Sequence, residues 1–115
     1  MKDPGIYIDH ILESIGRIRS YASGGREAFL GDNKTQDAVV RNLQVIAESA
    51  QRIPEPVRER CDGVDWKAIR GFRNVLVHDY LGLNMKQIWD VIEKDIPGLQ
   101  AGMERLKSEI GKTGG

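Results

Sequence analysis

The segment IWDVIEKDIPGLQAGMERLKSEI, residues 88–110, carries a long apolar pattern at helical spacing. Its apolar residues recur at intervals of three and four, which places them on one face of an α-helix. They are Ile88, Ile92, Ile96, Leu99, Met103, Leu106 and Ile110. Pro97 interrupts this pattern because a proline has no backbone N–H to donate to the preceding turn. We therefore predict a long C-terminal helix with a kink or a break near Ile96.

The same spacing recurs in three segments nearer the N-terminus, so nearly the whole chain is predicted to be helical. These helices are expected from Pro4 to about Ala22, from about Thr35 to Ile53, and from Trp66 to just before Gly82. The expected N-caps are Asp3, Thr35 or Asn33, Asp65, and Asn84 for the last helix. A further short helical segment is expected between Pro54 and Gly63. The predicted fold class is all-α: an up-and-down four-helix bundle with a short extra helical segment and a kinked C-terminal helix.

The size and charge of the chain exclude several classes of protein. Its 115 residues predict a single domain over residues 1–115, with a frayed tail from about 111. Lys and Arg number 17 and Asp and Glu number 17, so no overall field favours a protein that coats DNA. No apolar run is long enough to span a membrane. Cys61, the single cysteine, excludes an internal disulfide and is expected to be half-buried or exposed, and the chain is expected to be cytoplasmic.

Three glycines, Gly16, Gly71 and Gly102, fall inside predicted helices. A glycine in a helix interior costs about 1 kcal/mol relative to alanine. Such a cost is understandable where two backbones approach each other closely, and otherwise the glycine is simply tolerated. The sequence leaves both interpretations open.

The segment GFRNVLVHDY, residues 71–80, places polar groups on an otherwise apolar helix. At about 100° per residue, Arg73, Asn74, His78 and Tyr80 share one broad arc. Arg73 and His78 are turned about 140° apart, so they do not converge on one small ligand within a single chain. If two copies of the helix met across a two-fold axis, the arginine of one would come near the histidine of the other.

These residue types suit the cleavage of RNA without a metal. Arg73 offers a fork of donors that matches phosphate oxygens, and His78 can take or give a proton near neutral pH. The histidine would deprotonate a ribose 2′-hydroxyl or protonate the leaving oxygen, and the arginine would stabilise charge on the phosphorane. A second interpretation is also open. His78 then complements the helix dipole, Arg73 forms a surface ion pair with Asp79 or a glutamate, and Tyr80 packs.

The run RNVLVHDY, residues 73–80, resembles the Arg-x4-His-x-Tyr motif of HEPN-domain proteins. More narrowly, the chain resembles the HepT-like toxin family over residues 4–107. The segments that carry this resemblance are TQDAVVRNLQVIAES, WKAIRGFRNVLVHDYLG and IWDVIEKDIPGL, in that order. It implies an all-helical, HEPN-like, homodimeric endoribonuclease that needs no metal or other cofactor. It also implies the toxin of a type VII-like toxin–antitoxin pair, with RNA as substrate and an MntA-like minimal nucleotidyltransferase as antitoxin. No membrane partner is implied.

The resemblance also assigns roles to single residues. Arg73 and His78 match the catalytic pair of the family, and Asn74 matches its adjacent polar position. Tyr80 matches a tyrosine to which the antitoxin adds AMP units in some members, and an anionic group there would repel RNA phosphates.

Three other residues also carry expectations. Glu48 and Asp79 are candidate supporting residues, and the alternative for Glu48 is a solvated side chain. His10 is expected to lie on the surface. A non-catalytic helical homodimeric module that binds a nucleotidyltransferase is the alternative function, and the neutral net charge fits it.

Overall fold

Helices form over all four amphipathic segments, and the predicted all-α fold class is confirmed. The computed structural model describes residues 3–61, 63–78 and 83–113. These residues form α1 (Pro4–Tyr21), α2 (Arg26–Leu30), α3 (Asn33–Arg52), α4 (Glu55–Arg58), α5 (Trp66–His78), α6 (Met85–Asp90), a π-helical turn (Val91–Asp95) and α7 (Ile96–Thr113). α7 continues beyond residue 111, where the frayed tail was expected to begin. Within the described ranges, no helix combines the length and apolarity that crossing a membrane requires.

Polar side chains begin the first and the last helical segments as predicted. The Asp3 carboxylate accepts a hydrogen bond from the Gly5 backbone N–H at 2.9 Å and caps α1. The Asn84 side chain accepts one from the Lys86 backbone N–H at 2.9 Å and caps α6. Each cap satisfies a backbone donor that has no partner within its own helix.

The predicted cap of α3, Thr35 or Asn33, is wrong. Asp32 caps this helix: its carboxylate accepts from the Lys34 backbone N–H at 3.0 Å and from the Thr35 hydroxyl at 2.8 Å. The helix begins at Asn33, so the preceding residue Asp32 occupies the cap position, and the Thr35 hydroxyl donates to its carboxylate. The hydrogen bond from the Thr35 hydroxyl lowers the pKa of Asp32 below its ordinary value of 3.8.

α3 lies at the centre of the bundle. It packs against α1 on one side and against α5 on the other, while α7 packs against α1. Buried apolar side chains from these helices form one core. α1 contributes Ile8, Ile11, Ile15 and Ile18, and α3 contributes Val39, Val40, Leu43, Ile46 and Ala50. This arrangement fits an HEPN-like bundle.

The predicted kink of the C-terminal helix is confirmed as a π-helical turn at Val91–Asp95. It ends directly before Ile96, and Pro97 is the second residue of α7. In a regular α-helix the N–H of residue 97 would bond to the carbonyl of Glu93, and proline has no N–H to give. The wider turn falls where that bond is missing, and it divides the apolar stripe between α6 and α7.

The close approach expected at helical glycines occurs at Gly102. A Cβ atom added there would lie 2.4 Å from Val64 Cγ2 and 3.1 Å from Cys61 Sγ. Cys61 is therefore buried, contrary to the expectation, and its thiol donates to the Gly102 carbonyl oxygen at 3.4 Å. At Gly16 and Gly71 an added Cβ would meet no described atom within 4 Å. Packing within the chain accounts for Gly102 and leaves the other two unexplained.

Candidate active site

The rotation of α5 about its axis is fixed by its apolar face. Leu76 is fully buried, and Ile69 and Phe72 pack partly buried against the core. Leu76 and Phe72 therefore lie on the side of α5 that faces the core. Because the apolar face is anchored, the opposite face is presented to solvent.

Arg73 lies at the edge between these two faces and is half-buried. Its Nε atom is buried and has no hydrogen-bond partner. No acidic side chain within the described ranges forms an ion pair with it. A buried donor without a partner costs roughly 1–3 kcal/mol, and a guanidinium carries five donors in one plane. The site therefore holds a cation with at least one buried donor that no described residue satisfies.

Asn74 follows Arg73 on the exposed face of α5. Its amide is accessible to a ligand and offers both a donor and an acceptor. His78 is the last residue of α5, so its backbone continues the same helix. The side chain of His78, and the whole of Asp79 and Tyr80, lie outside the described residues. The helical spacing of Arg73 and His78, about 140° apart, is thus retained along the backbone.

Two other residues that the sequence analysis considered are exposed. Glu48 is exposed on α3, and no ion pair or hydrogen bond joins it to Arg73. His10 is exposed on α1, and its ring meets the edge of Tyr7 at 6.3 Å between ring centroids. Its expected surface position is confirmed.

A cavity of about 380 Å³ lies between α3, α5, residues 63–65 and the π-helical turn. Its lining is mainly apolar and includes Ile69 and Phe72 from α5, with Lys94 and Asp95 from the turn. Neither Arg73 nor Asn74 is among its lining residues. Arg73 and Asn74 therefore lie outside this cavity.

Two cations on the exposed face of α5 were not among the site residues predicted from the sequence. Lys67 and Arg70 are exposed and lie on the same helix as Arg73 and Asn74. A signal was present: the segment WKAIRGFRNVLVH contains three cationic residues and no acidic one. The signal lies in the charge of the whole helix and not in groups that transfer protons.

Comparison with known proteins gives an independent observation. The family described as Ribonuclease HepT-like matches residues 11–106. A Caldanaerobacter subterraneus protein, provisionally named an RNase, is 36% identical over 107 residues, which are 92% of this chain and 96% of that protein. A Thermococcus cleftensis protein named "Probable ribonuclease HepT" is 32% identical over 102 residues, 88% of this chain and 93% of that protein.

A longer relative comes from Methanocaldococcus jannaschii and is named a gamma-glutamylcyclotransferase and, provisionally, an RNase. It is 35% identical over 113 residues, which are 97% of this chain. The chain spans about half of that protein, 51% of its length. No solved structure matches the chain.

Proposed function

The chain belongs to the HepT-like ribonuclease family, and from this premise we propose that it is an endoribonuclease that acts without a metal, with Arg73 and His78 as its catalytic residues. The observation that carries the proposal is the state of Arg73. Its guanidinium has a buried Nε without a partner and forms no ion pair with an acidic side chain in the described part of the chain. A phosphodiester supplies the anionic acceptors that such a group lacks.

The proposed reaction is an attack within the RNA strand. The imidazole of His78 takes the proton of a ribose 2′-hydroxyl, and the freed oxygen attacks the adjacent phosphorus. The bond from phosphorus to the 5′-oxygen breaks, and that oxygen receives a proton from an imidazolium. The products are a 2′,3′-cyclic phosphate and a 5′-hydroxyl. Arg73 donates to the non-bridging oxygens as their charge grows, and the exposed amide of Asn74 orients the strand.

We propose further that two copies of the chain build each active site. The 140° between Arg73 and His78 along α5 separates them in one copy. A two-fold axis beside α5 would place Arg73 of one copy opposite His78 of the other, with a cleft between them. A homodimer of this kind would contain two equivalent sites.

The proposed biological role is that of a cytoplasmic toxin neutralised by a minimal nucleotidyltransferase. Addition of AMP units to Tyr80 would bring negative charge next to His78 and repel RNA phosphates. After co-expression with a neighbouring nucleotidyltransferase gene, mass spectrometry should show added AMP units, and a Tyr80→Phe form should show none. Full inhibition of an unmodified chain would instead indicate neutralisation by contact.

Expression in cells without the nucleotidyltransferase tests the nuclease activity. We expect the wild-type chain to arrest growth and deplete RNA, and the Arg73→Ala and His78→Ala forms to do neither. If all three forms behave alike, the result would contradict the nuclease activity. It would favour the alternative, a non-catalytic module that binds a nucleotidyltransferase.

A further inference from the structure

Helix α5 is the most cationic helix of the bundle. Residues 66–78 contain Lys67, Arg70 and Arg73 and no Asp or Glu, a formal charge of +3. The chain has 17 cationic and 17 acidic residues in all, so the remainder has 17 − 3 = 14 against 17, a charge of −3. The neutral total therefore conceals one positively charged helix.

The cations of α5 lie on the same face as the proposed active site. Positions 67, 70, 74 and 78 fall within an arc of about 80° at 100° per residue. Lys67, Arg70, Gly71 and Asn74 are all exposed. From position 67 to position 78 the helix rises about 16 Å, at 1.5 Å per residue. This length is enough to follow several consecutive phosphates of a nucleic acid strand.

These cations are not neutralised within the described part of the chain. Elsewhere, Arg17 pairs with Glu13 at 2.7 Å, and Lys107 pairs with Asp9 at 2.8 Å. Lys67 and Arg70 form no such pair with any described acidic side chain. Two unpaired cations next to Arg73 make this face attractive to a polyanion.

Gly71 leaves bare backbone at the edge of this face, about 20° beyond position 78 around the helix and between Lys67 and Asn74 along its axis. It is exposed in a helix interior, and an added Cβ would meet no described atom within 4 Å. Its cost of about 1 kcal/mol is thus not explained by packing within the chain. A ligand that lies directly against the helix gives a reason for a residue without a side chain at that point.

We propose that Lys67 and Arg70 bind RNA phosphates and guide the strand along α5, over Gly71, to Arg73, Asn74 and His78. This inference rests on the proposed ribonuclease function and extends it to the residues that position the substrate. A dimer cleft lined by these cations from both copies would bring like charges together. An RNA strand bound between them would offset the repulsion between those charges. Lys67 and Arg70 are positioning residues and take no part in the bond-breaking step.

The test measures the binding of a fluorescent single-stranded RNA to the His78→Ala form, which should bind without cleaving. The binding constant is determined at several salt concentrations, with and without the double substitution Lys67→Gln and Arg70→Gln. Each phosphate contact on a single strand contributes about 0.7 to the slope of log K against log salt. We expect the double substitution to reduce the slope by about 1.4 and to weaken binding about 25-fold at 0.1 M salt.

The matched control is the double substitution Lys34→Gln and Lys86→Gln. It removes the same charge from exposed positions on α3 and α6. We expect its slope to equal that of the His78→Ala form alone. All four positions are exposed, so none of the substitutions should change the fold. Circular dichroism and the molar mass in solution check this for every form.

Three results would overturn the inference. The first is an equal loss of slope in the two double variants, which would mean that charge acts without regard to place. The second is an unchanged slope with an altered molar mass, which would make this face a contact between copies. The third is that the wild-type chain and the Lys67→Gln and Arg70→Gln form cleave RNA with the same kinetics. That result would leave the proposed ribonuclease function standing and would refute the role of Lys67 and Arg70 in guiding the strand. A wild-type chain that neither binds nor cleaves RNA would refute the proposed function as well.

Discussion

Helices α1 and α5 both pack against α3, and both carry an exposed interior glycine. They differ in how many side chains they bury and in how their surface charges are paired. α1 buries four isoleucines and pairs its surface charges: Glu13 binds Arg17, and Asp9 binds Lys107 of α7. Among the described side chains of α5, Leu76 alone is fully buried, and Lys67 and Arg70 form no ion pair with a described acidic residue. The surface charges of α1 thus include two ion pairs, while Lys67 and Arg70 of α5 form no ion pair with a described acidic side chain. Stability should therefore depend on α1 and α3, and activity on α5.

The largest expected effect is the loss of RNA cleavage when Arg73 of α5 is substituted, compared with substitution of Arg17 of α1. We expect Arg73→Ala to lower kcat/KM for RNA cleavage about 100- to 1,000-fold, because it removes donors aimed at the charge that develops on phosphate. Arg73→Lys should remain well below the wild type, since an ammonium cannot replace the planar fork. Arg17→Ala, whose guanidinium is already paired with Glu13, should cleave at the wild-type rate. Equal losses at both positions would contradict the division of roles.

The next effect concerns the core. Ile15→Ala on α1 should lower the free energy of unfolding by about 2–5 kcal/mol, because a fully buried side chain leaves a cavity. Ile69→Ala on α5 should cost less, since Ile69 is only partly buried and already borders a cavity. Urea unfolding of both variants measures the difference. A larger loss at Ile69 would show that α5 carries more of the fold than its burial indicates.

The smallest effect compares the two exposed glycines. Gly16→Ala and Gly71→Ala should each raise the free energy of unfolding by about 0.5–1 kcal/mol, because neither new methyl group meets a described atom. Only Gly71→Ala should weaken RNA binding, since only that glycine lies on the cationic face. Thermal unfolding of the two variants measures the change in stability, and titration with RNA measures the change in binding. Equal RNA binding by both variants would remove the argument made from Gly71.

The elements of the fold were predictable because their signals are local. The spacing of the apolar residues located the four helices, Pro97 located the break, and the family resemblance is confirmed by the comparisons. The cap of α3 was missed because Asp32, Asn33 and Thr35 are all good caps, and only the three-dimensional turn selects among them.

The surroundings of the site were less predictable because they depend on packing between distant segments. The buried Nε of Arg73 follows from the rotation of α5 against α3, which the pattern gives only approximately. The cavity depends on how closely the π-helical turn and residues 63–65 pack against α5. No local sequence pattern determines the spacing between these segments. The supporting roles assigned to Glu48 and Asp79 stay predictions.

The most direct measurement of a shared active site uses two inactive forms of the chain. Arg73→Ala and His78→Ala copies are co-expressed with different tags, and the mixed dimer is isolated by both tags. One of its two sites would then combine an intact Arg73 with an intact His78. We expect the mixed dimer to cleave RNA at about half the wild-type rate, while each parent form stays inactive. A mixed dimer as inactive as its parents, or a fully active monomer, would contradict the account.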